Sequence, residues 1–104
     1  MDTPFICNTS ALSVAQRIRY KELTEKLNDS RQSIKELTDG YAFRFKAVPE
    51  LIMDAAEFLT LKQLCYPFFN FELAVEADAN RLWLHLRGQN GIKKFIRYEF
   101  NIEE

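Results

Sequence analysis

Glycine and proline are scarce, three of each in 104 residues, which excludes a collagen-like, low-complexity or linker-divided chain. Cysteine and histidine are scarcer still: Cys7 and Cys65 are the only cysteines and His85 is the only histidine. No C-x-x-C or H-x-x-x-H spacing occurs, so nothing here suggests a structural zinc ion. G-x-S-x-G, H-E-x-x-H and paired-carboxylate motifs are also missing, and no catalytic residue is assigned. Neither charge is in excess: 14 basic residues face 15 acidic ones, giving no field directed at nucleic acid or an anionic membrane. Nor does any apolar run approach the ~18 residues of a membrane span. The start, Met1-Asp2-Thr3-Pro4, lacks the basic residues that open a signal peptide, so the expected location is cytoplasmic.

What remains is an ordinary folded composition, 47% apolar and 28% charged, at the length of one domain. The reading is a single domain over 1–104, with residues 1–10 as an arm around the apolar pair Phe5-Ile6. Ser13 followed by Gln16 has capping-box form and opens a helix with Val14, Ile18, Leu23 and Leu27 as an irregular apolar stripe. Asn28-Asp29-Ser30 interrupts it. A heptad-like spacing of Tyr20, Leu23, Leu27, Ile34 and Leu37 would instead carry one long helix to Thr38. Asp39-Gly40 favours a hairpin, because Tyr41, Phe43 and Phe45 beyond it alternate with Ala42, Arg44 and Lys46.

Pro49 suits the first turn of a second helix that Pro67 stops near Cys65 or Tyr66. Leu51, Ile52, Ala55, Phe58, Leu59 and Leu64 surround too much of it for one sheet, so the first helix or a second subunit must cover it as well. Alternating segments at 69–76 and 81–87 form a second hairpin across Asp78-Ala79-Asn80. Beyond Gly88-Gln89-Asn90-Gly91, with Asn90 as the expected cap, Ile92, Phe95, Ile96 and Phe100 mark a last amphipathic helix. The predicted fold is α+β: helix, β-hairpin, helix, β-hairpin, helix, with an antiparallel four-stranded sheet and helices on one face.

That pattern collects candidate binding residues. If Phe43, Phe45, Phe69, Phe71 and the leucines of 82–86 face the helices, then Arg44, Lys46, Asn70, Glu72, Trp83, His85 and Arg87 share the opposite face. Arg44, Glu72, Trp83, His85 and Arg87 are the ligand-binding candidates, for a small anionic or aromatic molecule. Two other readings of the same face stand beside it, a self-complementary homodimer surface and a solvated face on which Glu72 pairs with a neighbouring base. One stacking aromatic on a chain without net basic charge is poor support for nucleic-acid binding. Cys65, near a helix C-terminus that disfavours a thiolate, reads as an inert buried thiol. Alternatively it pairs with Cys7 as two soft metal ligands or as a reversible disulfide.

The segment from Glu57 to Phe71, EFLTLKQLCYPFFNF, resembles the pattern E-W-x-x-x-E-R-x-C-C-P-F-x-x-F of a small bacterial family of uncharacterised proteins. The family's D-G-Y-A-x-R-x segment matches Asp39 to Phe45, its W-L-x-L-x-G-x-x-G-x-K-x-F segment matches Trp83 to Phe95, and its N-terminal cysteine matches Cys7. Some relatives accompany heavy-metal resistance genes; the resemblance implies no established activity, but the adjacent cysteines of the pattern would suit a mercury- or arsenic-like soft ion, and half of that site is missing here. Where the pattern has adjacent cysteines this chain has Cys65-Tyr66, leaving Cys7 and Cys65 as the one thiol pair. Separately, the order of elements is similar to that of pterin dehydratases, implying a small lyase or isomerase using His85 with Glu72 or Glu57; a multi-histidine site cannot be built from one histidine. The functional expectation is a non-enzymatic, homodimeric binding or interaction module, with a thiol-based metal or redox protein and a lyase or isomerase on the Trp83/His85 face as alternatives.

Overall fold

A computed structural model describes residues 11–66 and 68–102. Helix α1 (Val14–Ser30) is followed by strands β1 (Ser33–Leu37) and β2 (Gly40–Lys46), helix α2 (Pro49–Cys65), strands β3 (Asn70–Glu76) and β4 (Arg81–Arg87), and helix α3 (Ile92–Glu99). The fold is α+β, in the order the sequence predicts. The strands form one antiparallel sheet in the order β1-β2-β4-β3, which leaves β1 and β3 as its edges.

Sheet and helices meet through alternation. Tyr41, Phe43 and Phe45 on β2 and Leu82, Leu84 and Leu86 on β4 are buried, on the central strands, against Phe58 of α2 and Ile92 and Ile96 of α3. Phe100, just past α3, ties the layers together with its ring centroid 5.1 Å from that of Phe43 and 6.2 Å from that of Phe58.

Ser13 caps α1: its hydroxyl accepts from the Gln16 N–H at 3.1 Å, and the Gln16 side chain accepts from the Ser13 N–H at 2.8 Å. Ser13→Ala should therefore cost about 1 kcal/mol, read as a lower urea midpoint at unchanged slope. The expected α1 stripe is only half right. Leu23 and Leu27 are buried, but Val14 and Ile18 are 64% and 58% exposed. The reason is that α1 rests on α2, not on the sheet, and a helix in contact with one neighbouring helix buries a narrow seam. Tyr20 stacks on Phe58 with ring centroids 5.4 Å apart. It is thus α1 that covers the second side of α2.

Charged groups border this seam. Arg19 donates to both carboxylate oxygens of Glu57, at 2.9 and 3.0 Å, and Lys26 pairs with Glu50 and, at 2.6 Å, with Asp54. The Arg19 hydrogen bonds hold the Glu57 carboxyl below the usual glutamate range. A carboxyl depressed in the folded state contributes stability above its unfolded value, near 4.3, and loses it as pH falls through the folded value. Arg19→Gln should therefore lower the urea midpoint at pH 6 more than at pH 3, the gap closing below about pH 4.

Two turn assignments shift. In the first hairpin Leu37 pairs with Gly40, so the turn residues are Thr38 and Asp39 and Gly40 already belongs to β2. At α3 the cap is not Asn90 but Gly91, whose φ of 94° lies in the left-handed region that glycine enters without a Cβ penalty.

Candidate functional site

Strand register determines which side chains stand on the face away from the helices. Lys35, Ala42, His85 and Glu72 form one row across the four strands; Ser33, Arg44, Trp83 and Ala74 form the next. Arg44, Glu72, Trp83, His85 and Arg87, the residues singled out from alternation, therefore all lie on this face. No helix covers it.

The face is not flat. Ala42 is only 1% exposed although it points away from the helices, because taller neighbours rise around it. Together with Ala74 it forms the floor of a concavity of about 420 Å³, walled by Trp83 and His85 and bordered by Lys35, Glu76, Arg81 and Arg87. The Trp83 and His85 rings are nearly parallel, 11° apart with centroids separated by 6.3 Å, as expected for neighbours on one side of a strand. Glu76 accepts from the indole Nε1–H at 2.7 Å and fixes that ring.

Glu72 lies 3.2 Å from His85 Nδ1 and 3.9 Å from an Arg87 guanidinium nitrogen, but the His85 contact lacks hydrogen-bond geometry. Arg87 also reaches Asp39 at 3.5 Å. In contrast, Arg44 Nε is buried without a hydrogen-bond partner among the described residues, and neither Arg44 nor Lys35 has a carboxylate within ion-pair distance there. Glu57, the other proposed partner of His85, is on the helical side of the sheet and bound to Arg19. The structure thus joins Glu72 to His85 and separates Glu57 from both.

Sequence reasoning missed Lys35, Ala42 and Ala74. Residue 35 becomes visible once β1 is aligned with β2. The alanines carry their signal in being small, at positions where neighbours on the same face are large.

A second polar cluster was also missed. Lys62 is fully buried within α2; its ammonium donates to the Tyr20 hydroxyl at 3.2 Å and to Glu99 at the end of α3. Five rings surround it, those of Tyr66, Phe69, Phe100, Phe58 and Tyr20, with centroids 4.3 to 5.8 Å away. Burial pushes the Lys62 amine below the usual lysine range, and the Glu99 charge opposes that shift. Burial likewise raises the Tyr20 phenol, assisted by Glu99. This cluster fixes α1, α2 and α3 to one another by charge and ring contacts.

Cys65 is fully buried at the end of α2 and is not a free thiol, which corrects the inert-thiol reading. Cys7, together with the arm over 1–10, lies outside the described residues. Among the described residues no group of three His, Cys, Asp or Glu side chains is placed to hold a metal ion, and no helix is long and apolar enough to cross a membrane. Comparison with protein-family profiles, curated proteins and solved structures returns no match to this chain.

Proposed function

We propose that this protein is a binding module that takes a small molecule on the face of its sheet that points away from its helices. The observation that carries the reading is the concavity of about 420 Å³ floored by Ala42 and Ala74 and walled by Trp83 and His85, a volume within the usual range of ligand sites. Two small residues among large ones create room that a solvated sheet face does not require.

Charge distinguishes this reading from pairing of the same face with a second copy. Its outward positions hold five basic residues, Lys35, Arg44, Lys46, Arg81 and Arg87, against two acidic ones, Glu72 and Glu76. A two-fold dimer through this face would set that excess against itself. The apolar girth of α2, which pointed to a second subunit in the sequence, is covered in part within the chain by α1, although Leu64 stays 46% exposed.

Because Trp83 is the single tryptophan, its indole N–H gives one resolved resonance at the wall of the concavity. Titration with benzoate, benzamide and benzylamine, probes of one shape and three charges, should shift it saturably with at least one of them. Ala74→Phe, which fills the floor at an edge strand, should abolish that response while leaving the unfolding midpoint near that of the parent. No saturable shift with any probe, or an unchanged response in Ala74→Phe, would sink the proposal.

A further inference from the structure

We infer that the ligand of this concavity is a flat ring bearing an oxyanion, a carboxylate or a phosphate, with the ring against Trp83 and His85 and the anionic group towards Lys35 and Arg44. The inference rests on the site proposed above and adds the chemistry of its occupant. Both acidic residues of the face are already engaged: Glu76 accepts from the Trp83 indole and lies 4.0 Å from Arg81, and Glu72 lies beside His85 and Arg87. Positive charge is left over. Lys35 stands across from Ala42 and lines the concavity, and Arg44 stands across from Trp83 at its margin. Like Lys46 farther along β2, neither has a carboxylate within ion-pair distance among the described residues, so Lys35 and Arg44 flank the floor on its β1 and β2 side.

Burial makes this charge matter. An Arg44 Nε shielded from water and without an acceptor among the described residues is a costly group, and an arriving oxyanion supplies what it lacks. A guanidinium also offers paired N–H donors that match the two oxygens of a carboxylate or phosphate. For the other half of the ligand, the nearly parallel Trp83 and His85 rings present the faces and edges on which a planar ring packs best. A neutral ring would use only the aromatic wall. Inorganic phosphate would use only the cations, so neither alone should bind as tightly as the two joined.

The test is a titration of the full chain with benzoate, phenyl phosphate, benzamide and inorganic phosphate, following the Trp83 indole resonance. Benzoate or phenyl phosphate should bind about tenfold or more tightly than benzamide or inorganic phosphate, a preference that shrinks as salt is raised. Comparing the two aromatic anions separates the carboxylate from the phosphate ligand. Lys35→Glu with Arg44→Glu should weaken the preferred anion by about tenfold or more, whereas Lys94→Glu, an exposed charge on α3, should leave it unchanged. Lys35→Gln alone, at an exposed edge-strand position, should give part of the loss and serves if the double variant does not fold. Benzamide binding as tightly as benzoate, still blocked by Ala74→Phe, would overturn the anion assignment and leave the binding module standing. Absence of any saturable response to these probes and to benzylamine would overturn both.

Discussion

Replacing Lys62 by alanine is expected to cost about 3–5 kcal/mol in urea unfolding, a large share of what holds a domain of this size together. The variant removes one partner of a buried ion pair and leaves Glu99, whose side chain is 14% exposed, without its counter-charge. It also empties the volume enclosed by five aromatic rings. The loss must not be mistaken for the net worth of the pair, because two charges taken out of water repay their desolvation poorly. A second variant separates the two quantities. Lys62→Met with Glu99→Leu replaces both charges by apolar groups and should come within about 1 kcal/mol of the parent protein. A double variant as unstable as Lys62→Ala would show that the ion pair itself stabilises the fold; a Lys62→Ala protein of nearly parental stability would show that the ammonium is not confined as described.

The same residue shows how far the fold could be read from the chain. Leu51, Ala55, Phe58, Lys62 and Cys65 follow one another at alternating steps of four and three, so Lys62 occupies a core position of a helical seam. Its charge hid this, because lysine is nearly always solvated and nothing local shows that Tyr20 and Glu99, 42 and 37 residues away, close over it. One-sided burial, by contrast, is written into alternation. It placed Arg44, Glu72, Trp83, His85 and Arg87 on one face before any register was known. Alternation does not tell which strands pair across hairpins, so the β2–β4 contact at the centre of the sheet was not legible. Lys35 and the alanine floor stayed invisible for that reason. The site is a product of neighbouring strands, and β2, β3 and β4 had alternation strong enough to read singly whereas β1 did not.

Gly40→Ala is expected to destabilise the protein by about 3 kcal/mol, although Gly40 needs no unusual φ. The sequence suggested a glycine chosen for its turn; the structure gives a different cause. A Cβ at residue 40 would come within 1.8 Å of the Leu86 carbonyl oxygen and 2.8 Å of the Arg87 Cα, both backbone atoms of β4. Backbone cannot swing aside as a side-chain tip can, so β2 and β4 would have to part at the end where Gly40 faces Arg87. Gly88→Ala is the control for position rather than for cost. Its added carbon would come within 2.8 Å of Cγ1 and 3.1 Å of Cβ of Ile92, a stiff β-branched side chain buried at the start of α3. It too should cost about 1–3 kcal/mol, but by moving α3 and not by parting β2 from β4. A displaced β2 would carry Ala42 and Arg44 away from Trp83 and His85, their partners across the strands. Gly40→Ala should therefore move the Trp83 indole resonance in the folded protein and weaken any ligand held there, while Gly88→Ala should leave both nearly unchanged. Equal shifts of the Trp83 resonance and equal losses of binding in the two variants would mean that the close approach of β2 to β4 at Gly40 does not govern the shape of the concavity.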